Sequence, residues 1–436
     1  MGVKGKKLLV LGGTSASLDL VRNAKEMGVY TIVTDEAPVE ERVAKQIADE
    51  VAFVSTTDFD GLIKLIKEKN IDGAFCGPSE FNLRNLFVLC EKAGLPCYTN
   101  TEIWNRCANK DVFKKYCIEY GVDCPQEYDV DENTSDEVLK EIEYPIIVKP
   151  VDGSSSAGIT VCTYYDQVRN ACIYARSKSS SKKIVVEKYI QNISGEIQEG
   201  AIFGVRYLIR NGEAYPYFMM DTYIVDPQNK KSLISGFTCS PSKHAEYYLK
   251  HMDQKVRKML KGMGLTNGVA FFQSLPSNGK IYFHEMGYRL SGGLLYKLTE
   301  PLANVNDMKM MIRFALGDEL VTSEELSEIK LDCKNKVGAQ LMIPLCTGTI
   351  GEIIGLEEVA GIPEIVDFIQ YYKKGDTVGK NVIGTLSQHF GRVSIIADSV
   401  KRVHEIVRLI QEVLQIQDND GNKMNCYPFD INRTLL

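Results

Sequence analysis

The stretch that most limits what this 436-residue chain can fold into runs from Ile146 to Ile159, IIVKPVDGSSSAGI. Ile146, Ile147 and Val148 form a continuous β-branched run that suits an enclosed, pleated surface. Lys149 ends the strand and Pro150 stops it, because proline brings no amide hydrogen to a ladder. From Asp152 to Gly158 the residues are small throughout. Backbone so free of side chains can close its amides around an anion. A plain surface turn would account for the glycines and serines. It does not account for a lysine set among Ile147, Val148 and Val151, and the two together read as a phosphate grip.

The length predicts two or three domains, and 44% hydrophobic with 25% charged residues predicts substantial cores. A net charge of -6 argues against a polyanion partner, so nucleic acid is not expected. No apolar run is long enough to cross a bilayer, and Met1 to Lys7 leads into a strand rather than a signal peptide. No membrane association and a cytoplasmic location are therefore expected. The twelve cysteines include no Cys-x-x-Cys pair. Most, such as Cys76, Cys90 and Cys162, lie in apolar surroundings and are expected to pack as small hydrophobes.

The chain opens with a βαβ pattern. A strand at Lys7 to Leu11 meets Gly12-Gly13-Thr14-Ser15-Ala16, an amphipathic helix follows, and Tyr30 to Val33 ends at Thr34-Asp35. The full Gly-x-Gly-x-x-Gly fingerprint is absent, so this reads as a Rossmann-like scaffold before it reads as a cofactor site. Further strand and helix patterns follow, and Gly77 to Glu80 falls at a strand end, where ligands collect in such sheets. Later, Gly268 to Leu275 and Lys280 to Met286 are joined by Pro276-Ser277-Asn278-Gly279, a hairpin turn. Strict alternation puts Gln273 and Glu285 on the side of Val269, Phe271, Ile281 and Phe283. An unpaired carboxylate there is costly, so it calls for a metal, a donor or a salt bridge, with Arg289 the nearest candidate. The same alternation turns His284 away from Glu285 and gives it a structural role. The last hundred residues read as a unit of their own, for packing or for closing over a substrate.

With those residues placed, the chain is similar to the ATP-grasp carboxylate–amine ligases, a family related to biotin carboxylase, carbamoyl-phosphate synthetase and bacterial L-amino acid ligases. The resemblance implies an α/β fold in three parts. These are a Rossmann-like domain over 1–101, a two-lobed grasp domain over 102–330 with its small lobe at about 113–190, and a small α+β domain over 331–436. It implies ATP and Mg2+ as cofactors, with Lys110 and Lys149 on the phosphates under a flap containing Gly153, Ser154, Ser155, Ser156 and Gly158. Glu187, Lys188, Tyr189 and Ile190 resemble the adenine hinge, where Glu187 meets the ring amine, and Glu196 resembles the ribose carboxylate. Gln273 and Glu285 resemble the magnesium ligands, and Arg289 the arginine that steadies the transferred phosphoryl group. Asp221, Tyr223, Ser291, Gly292 and Gly293 are candidate substrate contacts.

The implied partners are a small carboxylate, such as an amino acid, and an amine, activated through an acyl phosphate with release of ADP. Relatives of this kind suggest a homodimer. The family's Glu-x-Asn-x-Arg pattern becomes Glu285-Met286-Gly287-Tyr288-Arg289 here, so glycine stands at the asparagine position. Bicarbonate activation of the carbamoyl-phosphate or carboxylase kind is the alternative within the family. A nucleotide-binding protein without turnover, for which Gly287 argues, and an NAD dehydrogenase using Gly12 to Ala16 are the alternatives outside it.

Overall fold

The computed structural model describes residues 2–434 except 152–157, 192, 195, 196, 199, 200, 227–233 and 294. Gly153, Ser154, Ser155, Ser156 and Glu196 therefore lie outside the described residues. The fold is mixed α/β. Near the N-terminus, four parallel strands are ordered Glu50–Ala52, Tyr30–Thr34, Lys7–Leu11, Gly73–Phe75. Parallel strands need crossovers, and the helices Ser15–Glu26 and Phe59–Lys69 provide them. Asp35, at the end of the second strand, is turned inward: it accepts from the Gly13 amide at 2.7 Å and pairs with Lys45 at 3.0 Å and Arg42 at 3.0 Å. A carboxylate so occupied is poorly placed to receive a ribose, which weighs against the dehydrogenase alternative.

A three-stranded sheet, Thr160–Cys162, Ile146–Pro150, Ile184–Lys188, is backed by the helix Val168–Lys178. Its small core includes Ile146, Val148, Cys162, Cys172 and Val186. The third sheet has eight strands, ordered Lys280–Gly287, Gly268–Ser277, Ala201–Arg210, Glu213–Ile224, Ser235–Ser240, Val337–Pro344, His389–Ala397, Ile365–Gln370. The C-terminal strands thus continue this sheet, with Phe237 opposite Leu341 and Cys239 opposite Ala339. They also share a core with it, which joins Tyr223 and Phe237 to Val393, Ile406 and Phe429. The last hundred residues do not stand apart.

Two local expectations change. The hairpin turn forms, with Asn278 at φ 49° and Gly279 at φ 74°, the left-handed pair that a two-residue turn requires. The alternation beyond it does not hold. Gln273 pairs with Glu285 while Ser274 pairs with Phe283, so His284 is an extra, bulged residue. A bulge reverses the phase of a strand, and Glu285 consequently faces away from Phe283. The cysteines behave as small hydrophobes at Cys76, Cys90 and Cys162, which are buried. Cys346 and Cys426 instead form a disulfide that ties the C-terminal segment to the end of Val337–Pro344.

Candidate functional site

One cavity of about 1330 Å³ is lined by the three-stranded and eight-stranded sheets and by residues at the strand ends of the N-terminal part. This exceeds the few hundred to ~1000 Å³ usual for one small ligand, and it leaves room for two.

At one end Lys149 reaches the cavity with its ammonium fixed by Glu187. The Glu187 carboxylate meets Lys149 at 2.5 Å through one oxygen and Lys114 through the other. Lys114 also pairs with Glu127 at 3.3 Å. All three central groups are buried, with relative exposures of 7% for Lys149, 7% for Lys114 and 3% for Glu187. Burial alone would raise the Glu187 pKa, but the two ammonium charges outweigh it and hold the carboxyl below its ordinary value. Burial likewise opposes the Lys114 charge, and the Glu187 and Glu127 carboxylates raise its pKa in spite of it. Lys114 was not singled out from sequence. It sits on the helix Lys110–Glu119, 73 positions from its partner, and no local pattern marks it. Both Glu187 oxygens carry an ammonium, so the implied contact with an adenine amine would be a third bond at that carboxylate.

Lys188, Tyr189 and Ile190 line the cavity next to this cluster, as does Lys110 at the start of its helix. Asn109 caps that helix by accepting from the Asp111 amide at 3.0 Å and the Val112 amide at 3.1 Å. The Lys188 amide is taken by the Gln126 carbonyl at 2.8 Å and the Tyr189 amide by the Pro145 carbonyl at 3.0 Å. Gly158, where the chain returns from the implied flap, has φ +81° and packs so closely that a Cβ would fall 2.8 Å from Lys178.

The bulge places Gln273, His284 and Glu285 on the cavity wall. This corrects the expectation for His284, which is structural only if alternation is unbroken. Its Nδ1 is buried with no hydrogen-bond partner. Burial above all, then the Lys149 charge with Lys110 adding to it, pushes the imidazole pKa down to about 3. His284 is neutral at any working pH. Arg289 pairs with Glu80 at 2.7 Å rather than with Glu285, and it lies 5.2 Å from the Phe271 ring centre. Glu80 comes from the Gly77–Glu80 strand end, so that segment does meet the cavity.

Gln273 and Glu285 together offer two oxygen donors on one wall, and no group of three metal-ligating His, Cys, Asp or Glu side chains occurs among the described residues. This donor set fits magnesium, which binds few protein oxygens and completes its shell with phosphate and water.

Of the candidate substrate contacts, Ser291, Gly292 and Gly293 line the cavity, whereas Asp221 and Tyr223 do not. Alternation along Glu213–Ile224 presents Met220, Thr222 and Ile224 to the cavity instead. Asp221 is fully buried behind them, accepting from Ser242 at 2.6 Å and the Lys243 amide at 2.9 Å. Tyr223 packs against Phe237 and Phe429. Sequence reasoning also passed over Arg206, Phe271, Gln340, Tyr371, His389 and Arg392, which all line the cavity.

Comparison with known proteins bears on the fold and the family resemblance. Residues 121–288 match the family model described as D-ala D-ala ligase C-terminus. A formate-dependent phosphoribosylglycinamide formyltransferase of Sulfurisphaera tokodaii is 24% identical over 389 residues, 87% of this chain and 91% of that protein. The chain has the fold of the ATP-grasp ligases, to which its relatives and structural neighbours belong. The L-amino acid ligase of Bacillus licheniformis superposes with a TM-score of 0.77 at 18% identity, covering 95% of this chain and 99% of that one. The biotin carboxylase domain of the Hydrogenobacter thermophilus 2-oxoglutarate carboxylase, a dimer in complex with MgADP, ADP and bicarbonate, gives 0.71 at 20% identity over 96% and 91%.

Proposed function

We propose that this chain is an ATP-dependent ligase that activates a small carboxylate, such as an amino acid, as an acyl phosphate and passes the acyl group to an amine. The carrying observation is that Lys149 and Glu187, braced by Lys114, line the same cavity as Gln273 and Glu285. A fixed ammonium and an oxygen-donor pair in one cavity are what a triphosphate needs. In the reaction a substrate carboxylate oxygen attacks the γ-phosphorus, the bond to the β-bridging oxygen breaks, and ADP leaves. The amine nitrogen then adds to the acyl carbon, inorganic phosphate departs, and the nitrogen loses a proton to solvent. Phosphoryl transfer asks a protein mainly for alignment and charge neutralisation. Lys149 and Lys110 hold phosphate oxygens, and Arg289, oriented by Glu80, faces the transferred group. The backbone of Lys188 to Ile190 bounds the base. Magnesium, held by Gln273 and Glu285, would neutralise further phosphate charge.

No helix is long and apolar enough to cross a membrane among the described residues, and a cytoplasmic, homodimeric enzyme is the accompanying reading. The test is ADP release with ATP, Mg2+, a panel of carboxylates and hydroxylamine as a general acceptor, beside displacement of a fluorescent ATP analogue. Tight ATP binding with no ADP from any acid would favour the nucleotide-binding reading without turnover. ADP release stimulated by bicarbonate alone would favour the carboxylase-like one.

A further inference from the structure

The cavity wall carries eight lysines and arginines against three glutamates, and each glutamate has a task at the nucleotide end or on Arg289. The excess lies at the other end. Arg206 is only 4% exposed, and its guanidinium lies 5.7 Å from the Phe271 ring centre, beside Tyr217 and the buried Asp307. Its Nε has no hydrogen-bond partner. Arg392, on the strand His389–Ala397, donates to the Tyr371 hydroxyl at 2.7 Å. Among the described residues neither arginine has a carboxylate oxygen at salt-bridge distance, although Asp307 lies in electrostatic reach of Arg206 and Asp367 of Arg392. Arg206 is buried with Asp307, whereas Arg392 is only partly buried on the cavity wall and open to an incoming anion, which a guanidinium fork holds well.

The wall between these groups is apolar at Phe271 and amide-rich at Ser291 to Gly293. A Cβ on Gly293 would lie 3.4 Å from an Arg392 nitrogen, and Gln340 donates to the Gly293 carbonyl at 3.3 Å. Gly293 is four residues after Arg289, so chain reach keeps their Cα atoms within about 14 Å. That span suits the two ends of a small diacid.

We infer that the end of the cavity bounded by Phe271, Arg206, Arg289 and Arg392 takes a carboxylate that bears a second anionic group, with Arg392 and Tyr371 holding the second anion. This rests on the ligase reading above, in which Arg289 faces the carboxylate that reacts. The second anion is a carboxylate or a phosphate, and the chemistry Arg392 offers serves either.

The test compares matched acids that differ by that charge: L-glutamate with L-glutamine, L-aspartate with L-asparagine, and O-phospho-L-serine with L-serine. ADP release is measured with Mg-ATP and hydroxylamine. Direct binding of each acid without nucleotide is measured by calorimetry at low salt. The charged member of at least one pair is expected to be preferred at least tenfold in kcat/KM or in affinity, and which pair responds separates carboxylate from phosphate. Arg392→Gln should reduce that preference at least fivefold, and Arg392→Lys should keep part of it. Equal use and equal binding of both members of every pair would overturn the inference, as would an Arg392→Gln protein that keeps the full preference. Displacement of a fluorescent ATP analogue reports separately on the ligase reading. Were ATP not to bind, that reading would fall while the calorimetry still judged the anion subsite.

Discussion

Phe271 occupies the space that a side chain at residue 287 would need: a Cβ built on Gly287 falls 2.4 Å from the Phe271 Cε1 and Cζ atoms. The two residues pair directly across neighbouring strands. Glycine at this position, where the resembled pattern has asparagine, leaves room for an aromatic face, with the guanidiniums of Arg206 and Arg289 resting against it.

Gly287→Asn should consequently destabilise the protein by about 1–3 kcal/mol, the usual cost of overpacking. Phe271→Ala in the same chain should recover much of that loss, because the contact that causes it is removed. A double-mutant cycle of urea midpoints checks this, and additive effects would contradict the pairing.

The buried Lys114–Glu187–Lys149 cluster predicts an asymmetric response to charge removal. Glu187→Gln leaves two buried ammonium groups without their carboxylate and should cost about 3–5 kcal/mol of stability. Lys114→Met leaves Lys149 still paired, so it should lose less stability and weaken nucleotide binding severalfold through a less firmly held Glu187. Chemical denaturation and fluorescent-nucleotide titration measure the two effects separately.

The same cluster sets a pH dependence. Glu187 has a folded pKa below its ordinary value of 4.5, so near that pH the unfolded chain binds more protons than the native one. Its contribution is complete above 4.5 and disappears as the pH falls through the lowered folded value. Lys114 has a folded pKa above its ordinary 10.5, so its contribution is complete below 10.5 and is lost as the pH rises through the raised value. Urea midpoints against pH should fall at both ends, and Glu187→Gln should flatten the acid limb.

His284 carries a buried ring nitrogen without a partner, within electrostatic reach of Lys149 and Lys110, the lysines proposed to hold phosphate. A neutral imidazole there can donate one hydrogen bond to a phosphate oxygen. His284→Leu should raise KM for ATP about tenfold, the worth of one hydrogen bond to a charged acceptor. His284→Gln, a neutral donor, should recover part of it. Steady-state kinetics at fixed acid concentration decides, and an unchanged KM in the leucine variant would return His284 to a packing role.

For Gln273, the expected outcome concerns the metal. Gln273→Glu adds a carboxylate to a wall that has one, so the Mg2+ concentration for half-maximal ADP release should fall. Chelation with EDTA should abolish ADP release in both proteins.

What the sequence made legible was local. Lys149 stands out because a charged residue interrupts a β-branched strand, and the Asn278-Gly279 turn because only such residues take that geometry easily. Lys110, Lys149 and the Glu187–Ile190 segment, each marked by a motif within a single element, all line the cavity. What was not legible depends on partners far along the chain or on a break in periodicity. The bulge at His284 inverts the strand after it, so the residue assigned to packing faces the cavity. Asp221 and Tyr223 fall on the wrong side of their strand for the same kind of reason, a phase that tertiary packing sets. Arg206 and Arg392 look like ordinary strand arginines until two strands of the central sheet bring them to one hollow.

The unbroken run of hydrogen-bonded strands from Lys280–Gly287 to His389–Ala397 has a mechanical corollary. Arg289 follows the first of these strands and Arg392 lies on the seventh, so one continuous sheet carries both. Lys149 belongs to a different sheet. Opening and closing of that smaller sheet would admit and release a nucleotide without altering the distance between the two guanidiniums. The large sheet would set the length of acid accepted, while a triphosphate would be gripped between it and the smaller sheet.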